Sequence, residues 1–164
     1  MIEALQVIEA LHMKPHPEGG YYAETYRHGR TIELEDGSKR NLSTTIYFLL
    51  SGNDKSHFHR LSSDETWFFH FGEPIELIML KDGKKISCTI GHNITDGALP
   101  QLLIPANTWF AAHIPSRKNF SLVSCTVSPG FDFADFELAS IQILQEEGFV
   151  AEKIPMEFII NTTL

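Results

Sequence analysis

His57-Phe58-His59 followed by Glu65, bracketed by Gly52 and Gly72, are the residues of this chain best suited to do chemistry. Two histidines one residue apart on a β-strand present their imidazoles to the same side, because side chains alternate with a period of two. Leu61-Ser62-Ser63-Asp64 reads as a tight connection and Glu65 to Phe71 as the next strand. If those strands pair, a carboxylate joins the two imidazoles. Such a set suits a divalent metal held by His57, His59 and Glu65, or proton transfer on a small bound molecule. In the second reading His59 is the general base, oriented by Glu65, and Tyr47 or a second histidine returns the proton. The bland alternative has His59 bonded to a buried polar neighbour and His57 facing water.

Other residues join or leave this constellation by the same parity argument. Trp67, Phe69, Trp109 and Phe110 could line a cavity that stacks a flat ligand, although a barrel needs large inward side chains in any case. Trp67 and Trp109 are the better pocket candidates. Alternation sets His70 on the face opposite Glu65 and Trp67, so only a distortion near Gly72 would bring it in. Arg60 points away from His59 and suits an outer pair such as Asp64, worth about 0–1 kcal/mol. In Ser121 to Val127, Ser124 and Thr126 share one side, Val123 and Cys125 the other; small residues facing inward would leave room for a ligand. Cys125 has apolar flanks and no histidine beside it, which argues against a nucleophile. A glycine-rich phosphate loop, a nucleophile elbow and a Cys-x-x-Cys pair are all lacking.

The elements that must position these residues are mostly strands. Ile2, Leu5, Ile8 and Leu11 sit at helical spacing and predict an opening amphipathic helix that stops before Lys14-Pro15. Pro17-Glu18-Gly19-Gly20 reads as a turn or loop. Strands are then expected at Tyr21–Arg27, Thr31–Leu34 and Leu42–Leu50, with Asp36-Gly37 as a hairpin signal. Further strands are expected at His57–Arg60, Glu65–Phe71, Ile75–Leu80, Lys85–Ile90, Gln101–Ile104, Trp109–Ile114 and Phe120–Val127. Many short strands divided by Gly, Asp-Gly and Pro point to a sandwich or barrel. Phe136 to Glu147 reads as a helix closed by Gly148, and the tail from Phe149 is ambiguous.

The totals narrow the function classes. A chain of 164 residues suits one domain spanning 1–164, and 43% apolar residues suffice for a substantial core. A net charge of −8, from 13 Lys+Arg against 21 Asp+Glu, disfavours nucleic acid or an anionic membrane as the main partner. Apolar runs fall short of the ~20 residues that span a bilayer. The first residues carry Glu3 and Glu9 without a basic start, unlike a signal peptide. Cys88 and Cys125 sit in apolar stretches where reduced thiols are usual. A cytoplasmic protein is expected.

The spacing Gly-x4-His-x-His-x5-Glu-x6-Gly nearly repeats the first signature of the cupins. A second cupin motif, Pro-x-Gly-x2-His, is matched by Pro105-Ala106-Asn107-Thr108-Trp109-Phe110. There Asn107 replaces glycine in a left-handed turn position, and Phe110 stands where the fourth metal ligand, a histidine, would be. Over nearly its whole length the chain resembles the fifth cupin class, a family of unknown function. The carrying segments are His16-Pro17-Glu18-Gly19-Gly20-Tyr21-Tyr22, Thr45 to Leu50, Ser56 to Trp67, Pro100-Gln101, Ile104 to Phe110 and Ser121 to Leu138.

The resemblance implies a mainly β fold, the cupin double-stranded β-helix or jelly-roll-like barrel, commonly dimeric, with a short N-terminal and a C-terminal helix. It also implies an architecture similar to nucleotide-sugar epimerases of the cupin class and to germin-like proteins. Family members keep His59 and Glu65 more faithfully than the residue at His57, which weakens the metal reading. The candidate ligand contacts are His57, Trp67, His70, Gln101, Trp109 and Phe110. Three functions stay open. One is metal-independent acid–base chemistry of isomerase or epimerase type on a small polar, sugar-like or acidic metabolite. Another is non-catalytic metabolite binding, and the third a metal-dependent dioxygenase or decarboxylase. The expected partners are a small molecule and a second copy in a homodimer.

Overall fold

The computed structural model describes residues 2–160. In chain order its first strands are β1 (Lys14–Pro15), β2 (Tyr21–Arg27), β3 (Thr31–Glu33), β4 (Lys39–Asn41) and β5 (Thr44–Ser51). The central ones are β6 (Lys55–Leu61), β7 (Asp64–Gly72), β8 (Ile75–Lys81) and β9 (Lys84–Ile90). The last are β10 (Gln101–Ile104), β11 (Trp109–His113), β12 (Phe120–Ser128) and β13 (Phe136–Leu138). Antiparallel pairing builds a six-stranded sheet, β1-β2-β5-β12-β7-β10, and a five-stranded sheet, β13-β6-β11-β8-β9. Strands β3 and β4 form a separate hairpin around Asp36-Gly37, as that dipeptide predicts.

The two sheets close on a core that draws Phe48, Leu50, Trp67 and Val123 from one and Leu77, Ile75, Phe110 and Ala112 from the other. Each large side chain fully buried there contributes about 1.5–3 kcal/mol. Both sheets are also apolar on their outer faces, because each is covered. Helix α1 (Ala4–Ala10) buries Val7 against Leu49 and Leu122 of the six-stranded sheet. Helix α2 (Ile141–Glu146) and the segment after it bury Leu144, Ile154 and Phe158 against Phe58, Ile78 and Trp109 of the five-stranded one.

Three expectations change. Phe136–Leu138 is not the first turn of a helix; it pairs with Leu61 to His59 at the sheet edge, and α2 begins after Ser140, whose hydroxyl accepts from the Ile143 N–H. The opening helix is rotated from the expected stripe: Val7 is its buried residue, while Ile2 and Leu5 are exposed. The ambiguous tail forms two short 3-10 turns, Ala151–Lys153 and Met156–Phe158; residues 161–164 lie outside the described ones. Asn107 does adopt the left-handed conformation expected of it, with φ 59°. Among the described residues no helix is long and apolar enough to cross a membrane.

Candidate functional site

Between the sheets, at one end of the barrel, lies a cavity of about 240 Å³. His59 of β6 and Glu65 and Trp67 of β7 line it, as the alternation of those strands predicts. Cys125 of β12, paired in register with Trp67, lines it too. Val123 and Cys125 are therefore the inward side of β12, and Thr126 bonds Thr45 on the outer face. Glu18 and His16 reach in from the loop between β1 and β2. Phe131, Phe133 and Phe136 add an aromatic wall around His16, with Phe133 stacked on its ring at 6.2 Å and Tyr22 edge-on at 4.7 Å.

His57 does not join this cavity. Strand β11 pairs Phe110 with His59 but Ala112 with Ser56, so β6 carries one extra residue between them. This bulge breaks the period of two. Ser56 and His59 both turn toward Glu18, and the expected alignment of His57 with His59 is lost. The His57 Nδ1 instead lies 2.7 Å from the Glu18 carbonyl oxygen, which also accepts the His57 backbone N–H at 2.9 Å. A carbonyl only accepts, so Nδ1 carries the proton there. His57 holds the loop that presents Glu18. The loop passes so close to β6 that a Cβ on Gly19, where φ is 109°, would stand 2.0 Å from the Lys55 carbonyl oxygen.

Glu18 is buried beside a hydroxyl and two imidazoles. Its Oε1 accepts from Ser56 Oγ at 2.8 Å, and Oε2 lies 3.2 Å from both His59 Nε2 and His16 Nδ1. Burial favours the neutral acid, but the charges of His59 and His16 and the bonds from His16 and Ser56 prevail and hold Glu18 below the usual carboxylate range. His59 is pushed down by burial, opposed by the Glu18 charge. Its Nδ1 donates to its neighbour's carbonyl, His57 O, at 2.7 Å, which leaves Nε2 to exchange a proton with Glu18. The partner that orients His59 is therefore Glu18 with the His57 carbonyl, rather than the expected Glu65.

Glu65 responds in the opposite sense. Burial, with the Glu18 charge adding to it, pushes its carboxyl up to about 8. The Trp67 indole and the Cys125 thiol are near enough to offset this a little, yet neither is aligned as a hydrogen bond: Glu65 Oε2 and Trp67 Nε1 are both buried without a partner. Glu65 is a neutral acid at pH 7 while Glu18, across the same cavity, is a carboxylate. Cys125 is buried and its thiol is pushed well up by that burial, which leaves it unreactive.

The remaining candidates lie elsewhere. Tyr47 is on the outer face of β5, facing the groove beside α1, where His70 stands 5.9 Å from its ring and bonds Ser124 Oγ. Neither shares the cavity with His59. Trp109 is buried beneath the C-terminal segment, donating Nε1–H to Glu147 Oε2 at 2.8 Å with the Arg60 guanidinium 4.3 Å above its ring. Arg60 pairs with Glu137 and Glu147, not with Asp64. Gln101 is exposed on the edge strand β10. Phe110 does face inward, but packs behind His59 with ring centroids 4.1 Å apart rather than lining the cavity.

That placement decides the fit of a metal. The expected ligands His57, His59 and Glu65 do not converge, because the bulge removes His57 and a phenyl ring fills the fourth position. Among the described residues no three His, Cys, Asp or Glu side chains are placed to hold a metal ion. The set does not fit one.

Residue spacing does not single out Glu18, His16 or the wall of Phe131, Phe133 and Phe136. Glu18 sits in Pro-Glu-Gly-Gly, which has the composition of an ordinary turn. A signal was nonetheless there: an acidic residue next to two glycines that allow a close backbone approach.

Residues 5–139 match the family model described as cupin superfamily, DUF985. Among curated proteins the chain is similar to the uncharacterized protein YML079W of Saccharomyces cerevisiae, at 31% identity over 144 residues covering 79% of this chain and 72% of that protein. Among solved structures, a hypothetical protein from Leishmania major superposes with a TM-score of 0.83 at 35% identity, covering 92% of this chain and 96% of that one. Protein SO0799 from Shewanella oneidensis gives a TM-score of 0.81 at 37% identity, covering 93% of this chain and 97% of its own. With its barrel of two antiparallel sheets and a family match across most of its length, this chain belongs to the cupin superfamily, in the DUF985 family.

Proposed function

We propose that the barrel cavity is an acid–base site for a small, uncharged polar metabolite, of isomerase or epimerase type and without a required metal. The observation that carries it is the pair of carboxyls lining one cavity with displacements in opposite directions: Glu18 down, Glu65 up to about 8. Environments that separate the pKa values of two groups assign a base and an acid. The base is Glu18 with His59, and the acid is Glu65. Both Glu24 and Glu18 line the cavity, and its Arg27 is taken up by Glu24 at 2.7 Å, so a free carboxylate ligand is disfavoured.

A thermal-shift screen of neutral sugars, polyols and hydroxy-ketones tests this reading, followed by assays for turnover. Stabilisation lost in His59→Ala, with turnover that needs one deprotonated and one protonated group, supports it. Stabilisation without turnover across all hits favours a binding module instead, and full activity in His59→Ala contradicts the catalytic assignment. We further propose a cytoplasmic homodimer, on the strength of two unpaired cysteines and of the two-residue edge strand β1 that a second copy can cover.

A further inference from the structure

Two buried polar atoms of the cavity wall have no partner, and they are neighbours. Glu65 and Trp67 are two residues apart on β7, so their side chains leave the strand on the same face, into the same cavity. They are 6% and 1% exposed, and Glu65 Oε2 and Trp67 Nε1 each lack a hydrogen bond. Unpaired buried groups are rare because each costs about 1–3 kcal/mol. Trp67 offers only a donor, and Glu65 as a neutral acid offers a second. With no hydrogen bond closed between them, the two adjacent donors are complementary to one oxygen with two lone pairs.

We propose that Glu65 and Trp67 form the seat of a substrate carbonyl oxygen, and that the substrate is an aldehyde or ketone bearing a hydrogen on the adjacent carbon. This rests on the acid–base reading of the cavity and names its substrate class. The Glu18–His59 pair lines the same cavity and supplies the proton acceptor. In the forward half-reaction the C–H bond next to the carbonyl breaks and its proton passes to Glu18–His59. The C–H electron pair becomes the new C=C bond, and the carbonyl π pair takes the Glu65 proton to give the enol. Glu65 is then a carboxylate, facing the Trp67 N–H. Return of the proton to the same carbon restores the carbonyl with its hydrogen exchanged. Where that carbon also carries a hydroxyl, the proton returns to the former carbonyl carbon while the hydroxyl proton passes to the Glu65 carboxylate, and the isomer results. No oxidant, reductant or metal enters the balance. A neutral carboxylic acid beside a second donor stabilises a developing enolate far better than water does.

The test is hydrogen exchange in D₂O, followed by proton NMR with the full-length chain. The probes are glyceraldehyde, dihydroxyacetone, xylulose and fructose, with glycerol, xylitol and mannitol as non-carbonyl controls. The proposal expects loss of the proton next to the carbonyl in at least one probe, and none in the controls. Glu65→Gln slows that exchange about 100-fold or more and Trp67→Phe about 10-fold, with folding checked by circular dichroism. Exchange abolished by Glu18→Gln but untouched by Glu65→Gln and Trp67→Phe overturns the carbonyl seat while the acid–base cavity stands. Absence of exchange with every carbonyl probe also overturns it, and ligands found in the thermal-shift screen then decide the broader reading separately.

Discussion

Replacing Glu65 by glutamine removes one titrating group while keeping nearly the same volume, and the structure fixes the sign of the result. The carboxyl ionises near its ordinary value of 4.5 in the unfolded chain and at about 8 in the folded one, chiefly because burial opposes its charge. A group raised on folding contributes stability that is complete below the unfolded value and is lost as pH climbs through the folded one. Each pH unit between those values is worth about 1.4 kcal/mol, so the full span is worth about 5 kcal/mol. Glutamine has nothing to lose. His59, pushed down by burial, tilts the curve the other way, but it is present in both proteins and cancels in the difference. Urea denaturation of both proteins, at steps from about pH 5 to pH 8.5, reads that difference. Glu65→Gln should gain on the wild type by about 1 kcal/mol or more per pH unit up to about pH 7.5, the gain levelling off as the carboxyl ionises in the folded protein near pH 8. A difference that stays flat within about 0.5 kcal/mol would mean that Glu65 is ionised in the folded protein, and the acid assignment would fall.

Other outcomes follow from single contacts. Gly19→Ala should cost about 3 kcal/mol or more, since its Cβ meets the Lys55 carbonyl at a backbone angle that alanine resists; a loss under about 1 kcal/mol in urea would show that the Glu18 loop is not seated on β6. Phe110→His restores the histidine of the cupin motif, yet should bind far less than one equivalent of zinc or manganese by elemental analysis, because His57 stays turned to the Glu18 carbonyl. A full equivalent would show that the bulge does not keep His57 out. Cys125 should resist iodoacetamide in the native protein and react only on unfolding, while half-buried Cys88 reacts first. Equal native rates would contradict the closed cavity wall.

The strands were legible because their signals are local: β-branched and aromatic runs cut by Asp-Gly, Gly and Pro. Parity then placed Glu65 and Trp67 on one inward face of β7 and His70 on the other. It failed on β6, where the bulge is set by pairing with β11, a relation absent from any local window. It could not decide Tyr47 or Trp109 either, because each sheet is apolar on both faces, one packed inside the barrel and one beneath a helix. The strand at Phe136–Leu138 reads as helix on its own and becomes a strand only through the free edge of β6. Glu18 is the clearest case: what makes it a functional group is the company of Ser56, His59 and His16, brought together from one loop and one strand by the fold.

The central claim is that one cavity holds a carboxylate and a carboxylic acid at the same pH. Carbon-13 NMR of protein labelled at the glutamate carboxyl carbons measures this directly. One resonance should titrate near 8 and vanish in Glu65→Gln, and another should remain ionised below 4.5 and vanish in Glu18→Gln. If both glutamates instead titrate together in the ordinary range near 4.5, the cavity does not separate them and the acid–base account is wrong.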